Sequence, residues 1–176
     1  PSSRCPHCGT SIRAYDNIPI LSFLFLRGKC RSCEKRISWE YPLVETLNGL
    51  GYLFLAVKFG LTAAAAFYAL FLSSLLVISF IDLRHQIIPN RITLPGIGIG
   101  LLASGFVLPT GIRDAAIGLL LGGAIFYGVA LFSRGGMGGG DIKLIAMIGA
   151  FLGWMDVLLT ILLASFLGSL VGVFLM

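Results

Sequence analysis

The sequence predicts an all-α polytopic membrane protein with about six transmembrane helices and a small tetra-cysteine head. Of the 176 residues, 57% are hydrophobic and 12% are charged, and the mean hydropathy is +0.94. Roughly a quarter of the residues in a soluble domain are charged, so this composition excludes an ordinary soluble protein. The apolar runs are long and do not alternate with polar residues, which favours membrane helices over the strands of a barrel.

Cysteines and basic residues are concentrated at the start of the chain. Residues 1–40 contain all four cysteines and seven of the thirteen Lys and Arg, whereas residues 41–176 are a succession of apolar runs. We therefore expect a metal-binding head over 1–40 and a transmembrane body over 41–176. The chain begins at Pro1 and is still apolar at Met176, so we expect a piece of a longer protein, truncated at both ends.

Uninterrupted apolar stretches predict six crossings of the bilayer. They lie near 42–58, 61–81, 92–109, 114–133, 142–153 and 157–176. A helix rises about 1.5 Å per residue and needs about 20 residues to cross about 30 Å of hydrocarbon, so the fifth stretch is short. Two explanations are open for it: its helix continues into Trp154, or its glycines pack closely against a neighbouring helix.

The basic residues predict the orientation, because loops on the cytoplasmic side collect Lys and Arg. Besides the head, this side would hold Arg84, Arg91, Arg134 and Lys143, whereas the opposite loops hold only Lys58 and Arg113. We expect a bacterial inner-membrane protein with a cytoplasmic head and membrane lipids around its body. Nucleic acid is not an expected partner, since the basic residues lack interleaved aromatic side chains on which bases would stack.

Two C-x-x-C motifs in the head predict a metal site. They are Cys5-Pro6-His7-Cys8 and Cys30-Arg31-Ser32-Cys33, separated by twenty-one residues. This spacing suits four thiolates around one tetrahedral Zn²⁺, which would stabilise a head too small to fold on its own core. The alternative is two disulfides or free thiols, and a reducing cytoplasm disfavours disulfides.

Two acids differ from the others in the membrane part. Asp82 ends an apolar run, Asp141 follows three glycines, and two predicted crossings between them return both to the head's side. Two carboxylates a few ångströms apart do not both ionise, and one neutral acid beside one carboxylate can activate water against an amide. Of the remaining acids, Asp114 and Asp156 suit interfacial or helix N-cap positions. Glu45 is either a helix-start residue or faces a substrate groove.

The glycines before Asp141 suit the same chemistry. Gly138, Gly139 and Gly140, with Gly135 and Gly136 before them, remove side chains where an extended peptide would approach the acid. The alternative is a flexible loop with an N-capping aspartate. A nucleotide-binding loop is excluded because no Gly-Lys-Ser/Thr follows the glycines.

The ordered set of motifs resembles the bacterial type IV prepilin peptidases, membrane aspartic peptidases of the Gly-x-Gly-Asp type. Besides the cysteine motifs, the resemblance rests on Asn17-Ile18-Pro19-Ile20-Leu21-Ser22, Leu26-Arg27-Gly28-Lys29-Cys30, Tyr41-Pro42-Leu43-Val44-Glu45, Asp82 with Ile88-Pro89-Asn90, Thr93-Leu94-Pro95, and Gly138-Gly139-Gly140-Asp141-Ile142-Lys143-Leu144. By this resemblance, Asp82 and Asp141 are the catalytic pair, and Cys5, Cys8, Cys30 and Cys33 form the metal-binding head. Many members have Asp where this chain has Asn90, so Asn90 is assigned no catalytic role.

The resemblance implies cleavage of the basic leader of prepilins and pseudopilins at the cytoplasmic membrane face, after a glycine. Many members then methylate the new N-terminal residue with S-adenosylmethionine, although this chain has no glycine-rich signature for that cofactor. Two other classes are open on physical grounds: an ion- or proton-coupled transporter whose aspartates bind cations, and a scaffold subunit without catalysis.

Overall fold

Long apolar runs give this chain a helical structure, even though Pro95 lies inside one of the helices. The computed structural model describes residues 4–133 and 136–175, and its regular elements are seven α-helices, a 3-10 turn at Ala14–Asn17 and two isolated β-bridges. The helices are α1 (Leu21–Phe25), α2 (Glu40–Phe59), α3 (Ala63–His85), α4 (Asn90–Phe106), α5 (Ile112–Phe132), α6 (Gly139–Leu152) and α7 (Trp154–Leu175). The chain divides into two compact units, residues 1–58 and 59–176.

Each of the six predicted stretches is a helix, so the all-α prediction is confirmed. Three helices are long and apolar enough to cross a membrane: Ala63–His85, Ile112–Phe132 and Trp154–Phe174. The helices α4 and α6, with 17 and 14 residues, reach only about 25 and 21 Å at 1.5 Å per residue. The 20-residue helix α2 carries Glu40, Glu45 and Lys58. Length and composition thus support three spans among the described residues.

The first unit contains the cysteine motifs, α1 and α2. Phe23 of α1 is buried, and its ring centroid lies 4.8 Å from that of Trp39 just before α2. Gly28, at φ +68°, lies so close to Phe23 that an added Cβ would be 3.0 Å from Cζ of that ring. The turn after α1 therefore needs glycine both for its left-handed backbone and for its packing.

The second unit is organised around α6, which carries six of its buried residues: Ile145, Ala146, Met147, Gly149, Ala150 and Phe151. On one side, α5 approaches so closely that a Cβ on Gly118 would lie 2.7 Å from the carbonyl oxygen of Gly149. On another side, Ser104 of α4 donates a hydrogen bond to the carbonyl of Ala150 at 2.9 Å. Small residues let these backbones approach as they do in membrane helix pairs.

The short fifth stretch is explained by its glycines. Gly149 packs against Gly118, which confirms the predicted close helix interface. The other explanation, continuation of the helix into Trp154, is wrong, because Gly153 adopts φ +89° and ends α6. A residue in this conformation breaks the helix, so Trp154 begins α7 instead.

Contacts at the two ends of α6 fix its direction in the bundle. At its start, Gly140 packs against Ile88 in the α3–α4 loop, and a Cβ there would lie 2.7 Å from Cβ of Ile88. At its end, Thr110 of the α4–α5 loop donates a hydrogen bond to the carbonyl of Phe151 at 3.0 Å. The start of α6, the end of α3 and the start of α4 therefore lie at one end of the second unit.

Candidate functional site

The four cysteines of the head converge on one point. Their sulfur atoms all lie within 4.8 Å of one another, and the Sγ atoms of Cys5 and Cys33 are 4.0 Å apart. A tetrahedron with metal–sulfur bonds of about 2.3 Å has sulfur–sulfur edges of roughly 3.8 Å. None of the four cysteines is in a disulfide. The cluster therefore fits a single metal ion with four thiolate ligands.

The two C-x-x-C motifs have the same backbone fold. The N–H of Cys5 donates to the carbonyl of Thr10 at 3.0 Å, and the N–H of Cys30 donates to that of Lys35 at 2.9 Å. Four residues after each leading cysteine stands a left-handed residue, Gly9 at φ +69° and Glu34 at φ +55°. Each turn is closed by an isolated bridge, Arg4 with Ser11 and Lys29 with Arg36. These two turns point their thiols at a common centre.

The pKa values of two of the four thiols are shifted in opposite directions. Hydrogen bonds from the hydroxyl and the backbone of Thr10 lower the pKa of Cys8 to about 6. The backbone N–H of Lys35 stabilises the Cys33 thiolate, yet burial and hydrogen bonds with the other thiols outweigh it and raise the pKa of Cys33 to about 11. Four adjacent thiolates would carry negative charges that a bound cation would neutralise.

An ion pair stabilises the second cysteine motif. Arg31, between Cys30 and Cys33, donates two hydrogen bonds to the carboxylate of Asp16 at 2.8 and 2.7 Å. These hydrogen bonds hold the pKa of Asp16 below its ordinary value. Paired parallel hydrogen bonds of this kind fix orientation as well as adding stability.

Asp82 lies in the last turn of α3 and is exposed. The left-handed residue Gln86 caps this helix, and its N–H donates to the backbone carbonyl of Asp82 at 2.7 Å. A carboxylate near a helix C-terminus faces the negative end of the helix dipole, which costs roughly 0.3–1 kcal/mol at an exposed site. Helix stability therefore does not explain an aspartate here.

Asp141 lies in the first turn of α6 and is half-buried. The helix begins at Gly139, three residues before the predicted stretch 142–153, and its N-cap is Gly138, so the alternative of an N-capping Asp141 is wrong. The carboxylate of Asp141 lies close to the N-cap residue, since a Cβ added to Gly138 would be 3.2 Å from Oδ2 of Asp141. A side chain at Gly138 would therefore crowd this oxygen.

Two contacts join the chain segments that carry the acids. One is the packing of Gly140 against Ile88 described above. The other is a hydrogen bond of 2.8 Å from Nζ of Lys143 to Oδ1 of Asn90. Within residues 4–133 and 136–175, no hydrogen bond joins the carboxylates of Asp82 and Asp141 themselves. The predicted loop residues Arg134 and Gly135 lie outside the described residues.

Glu45 has a role that neither sequence interpretation included. Its Oε2 accepts a hydrogen bond of 2.7 Å from the backbone N–H of Ile20, which precedes α1 and has φ +63°. Glu45 thus connects α2 to α1, and it lies beyond the first turn of α2. Only the presence of an acid inside an apolar run marked it in the sequence. Asp114 and Asp156 lie in first helical turns, where the dipole favours acids, but neither is an N-cap, because α5 has Gly111 as its N-cap and α7 begins at Trp154.

The chain is similar to known proteins over most of its length. Residues 69–173 match the type IV leader peptidase family. Residues 1–59 match the bacterial peptidase A24 N-terminal domain. The first match covers α4, α5 and α6 entirely and includes both Asp82 and Asp141.

Similar curated proteins carry the name prepilin leader peptidase/N-methyltransferase. One from Stutzerimonas stutzeri is 42% identical over 98% of this chain and 61% of its own length. One from Pseudomonas putida is 41% identical over 100% of this chain and 63% of its own length. One from Myxococcus xanthus is 40% identical over 98% of this chain and 53% of its own length. This chain therefore spans less than two thirds of the relatives it matches. No solved structure matches it.

Proposed function

Because the chain belongs to the type IV leader peptidase family, we propose that it is a membrane aspartic endopeptidase that removes the short basic leader from prepilins and pseudopilins. The observation that carries the proposal is the packing of Gly140 against Ile88. It holds the segment after Asp82 against the helix that bears Asp141. The proposed catalytic pair is Asp82 and Asp141.

In the proposed reaction, the two acids divide the proton transfers of peptide hydrolysis. One carboxylate takes a proton from water as the water oxygen bonds to the carbonyl carbon of the scissile peptide. The other acid gives its proton to the leaving amine nitrogen as the carbon–nitrogen bond breaks. The glycines 138–140 are proposed as the substrate approach, because an extended backbone needs room beside Asp141; Gly138 is the N-cap of α6 and the other two glycines begin the helix. There is such room at Gly139, where an added Cβ would meet no heavy atom within 4 Å.

The proposed topology keeps six crossings with the head and both acids on the cytoplasmic side of a bacterial inner membrane. The helix α6 is enclosed by its neighbours, so its length of about 21 Å need not match the full hydrocarbon thickness. The basic residues of the head and of the 82–91 loop support this orientation. The basic leader would then stay in the cytoplasm while the apolar helix of the substrate lies in lipid.

We propose Zn²⁺ as the metal of the head, held by Cys5, Cys8, Cys30 and Cys33. When bound, it supplies a structural cross-link between the two cysteine turns. Elemental analysis of the purified chain should find one zinc, and Cys33→Ser should lower it. Absence of any transition metal, with thiols that react only after reduction, would contradict this site.

N-methylation of the new N-terminal residue is proposed as a second activity, with S-adenosylmethionine as methyl donor. It rests on the names of the relatives, which include N-methyltransferase. No residue of this chain is assigned to the donor. Mass spectrometry of a processed prepilin would detect a methyl group on its N-terminus.

The test of the proposed activity is incubation of the reconstituted chain with a leader-bearing prepilin. Loss of the leader after its glycine is the expected result. Ion flux without cleavage would instead indicate the transporter, and neither activity would indicate the scaffold subunit. Serine and cysteine protease inhibitors should not affect cleavage, because the proposed nucleophile is water.

A further inference from the structure

The head presents an apolar face on α1. Leu21, Leu24 and Phe25 have 51%, 63% and 82% of their surface exposed, respectively. They stand at positions i, i+3 and i+4, so they lie on the same side of the helix. Trp39, 76% exposed, contacts the same helix through the buried Phe23, and the two ring centroids are 4.8 Å apart. An apolar cluster of this kind on a small polar domain marks an interaction surface.

The apolar face is held in place at a cost in backbone strain. Ile20 and Arg27, the residues on either side of the α1 region, adopt φ +63° and +51°. A β-branched residue in the left-handed region is an outlier that persists only where its surroundings hold it. Here the carboxylate of Glu45 accepts the N–H of Ile20, and the burial of Phe23 against Gly28 fixes the helix from inside. Local backbone preference alone would not produce this exposed face.

The charges around the face indicate what covers it. Residues 4–40 carry seven Lys and Arg against three Asp and Glu, and Arg27 and Lys29 directly follow α1 and are exposed. Exposed aromatic residues, Trp39 and Tyr41, stand at the start of the apolar helix α2. Apolar residues with flanking basic groups and Trp or Tyr at a helix end are typical of segments that lie in the interface of an anionic bilayer.

We propose that the apolar face of Leu21, Leu24 and Phe25, together with the exposed Trp39, inserts into the surface of an anionic lipid bilayer, with Arg27 and Lys29 at the phosphates. The head is then an interfacial module as well as a metal-binding one. The inference is independent of peptidase activity, since it concerns only the exposed face of the first unit and its charge.

The two tryptophans of the chain, Trp39 and Trp154, allow a direct test. The full chain with Trp154→Phe keeps Trp39 as its single tryptophan, which is excited selectively at wavelengths that tyrosine does not absorb, and leaves the head unchanged. It is reconstituted into phosphatidylcholine and phosphatidylglycerol vesicles with acyl chains brominated near the carbonyl. A second variant, Trp39→Phe, Trp154→Phe and Phe25→Trp, reports from α1 itself. A matched variant carries His7→Trp in place of Phe25→Trp, because His7 is exposed at the tip of a cysteine turn.

The proposal predicts emission at short wavelength from Trp39 and from the Phe25→Trp variant, with most of it lost in brominated vesicles. The His7→Trp variant should be quenched by aqueous iodide instead. Quenching of Trp39 by iodide and not by brominated lipid would overturn the proposal. Short-wavelength emission that neither quencher reaches would also overturn it, since that result means that protein covers the face.

Discussion

Nζ of Lys143 donates a hydrogen bond to Oδ1 of Asn90 at 2.8 Å, across 53 positions of sequence. It joins the first residue of α4 to the early part of α6, two residues after Asp141. Because the loop before α4 follows Asp82, the bond helps to fix the proposed catalytic segments relative to one another. We therefore expect both side chains to act as positioning residues.

A double-mutant cycle tests that relationship. Lys143→Met and Asn90→Leu should each slow leader cleavage about fivefold, equivalent to about 1 kcal/mol for one hydrogen bond. The double variant should be no slower than either single variant, because one interaction has been removed in all three. Asn90→Asp should retain activity, since a carboxylate also accepts from Lys143. If the fold loss in the double variant were instead the product of the two single losses, the two residues would not be coupled.

The glycines at the start of α6 are not equivalent. Gly140→Val should block cleavage, because its Cβ would lie 2.7 Å from Cβ of Ile88 and would force the α3–α4 loop away. Gly139→Val also puts a β-branched residue into the helix, with the same effect on helix propensity, but nothing lies within 4 Å of its added Cβ. Rates of prepilin cleavage compare the two variants. Equal loss in both would mean that the contact with Ile88 is not what matters, because Gly139→Val also fills the room beside Asp141 that the substrate would need.

The interface between α5 and α6 should be sensitive to a single methyl group. Gly118→Ala places a Cβ 2.5 Å from the carbonyl carbon of Gly153, where neither backbone can yield without separating the helices. A lower melting temperature in detergent is expected. Gly128→Ala on the same helix meets nothing within 4 Å and should not lower it. An unchanged melting temperature for Gly118→Ala would contradict the close packing.

Replacing the left-handed residue should have opposite effects on the stability of the head in the two cysteine turns. Glu34→Gly should stabilise the head by about 1 kcal/mol, because glycine adopts the left-handed backbone without strain. Gly9→Ala should destabilise it by a similar amount, although its Cβ meets no neighbour. Zinc retention against a competing chelator measures both variants. Stronger retention in Gly9→Ala would mean that the two turns are not equivalent.

The helices could be predicted from the sequence because each apolar run is longer than a typical β-strand. Their ends could not, since they depend on local conformations such as φ +89° at Gly153, which ends α6 before Trp154. The convergence of four thiols was predictable from the spacing of two short motifs. The bond from Glu45 to Ile20 was not, because it depends on how the loop before α1 folds back on α2. Likewise, Lys143 and Asn90 become neighbours only through the packing of α4 on α6.

Cleavage of a prepilin by chains with Asp82→Asn or Asp141→Asn, with the product's N-terminus read by mass spectrometry, tests the central claim most directly. Each substitution keeps the shape of the side chain and removes one proton-transferring group, so both variants should remain in the membrane. We predict that the unaltered chain releases the leader after its glycine and that neither variant does so. Full leader removal by either variant would contradict the assignment of these two aspartates as the catalytic pair.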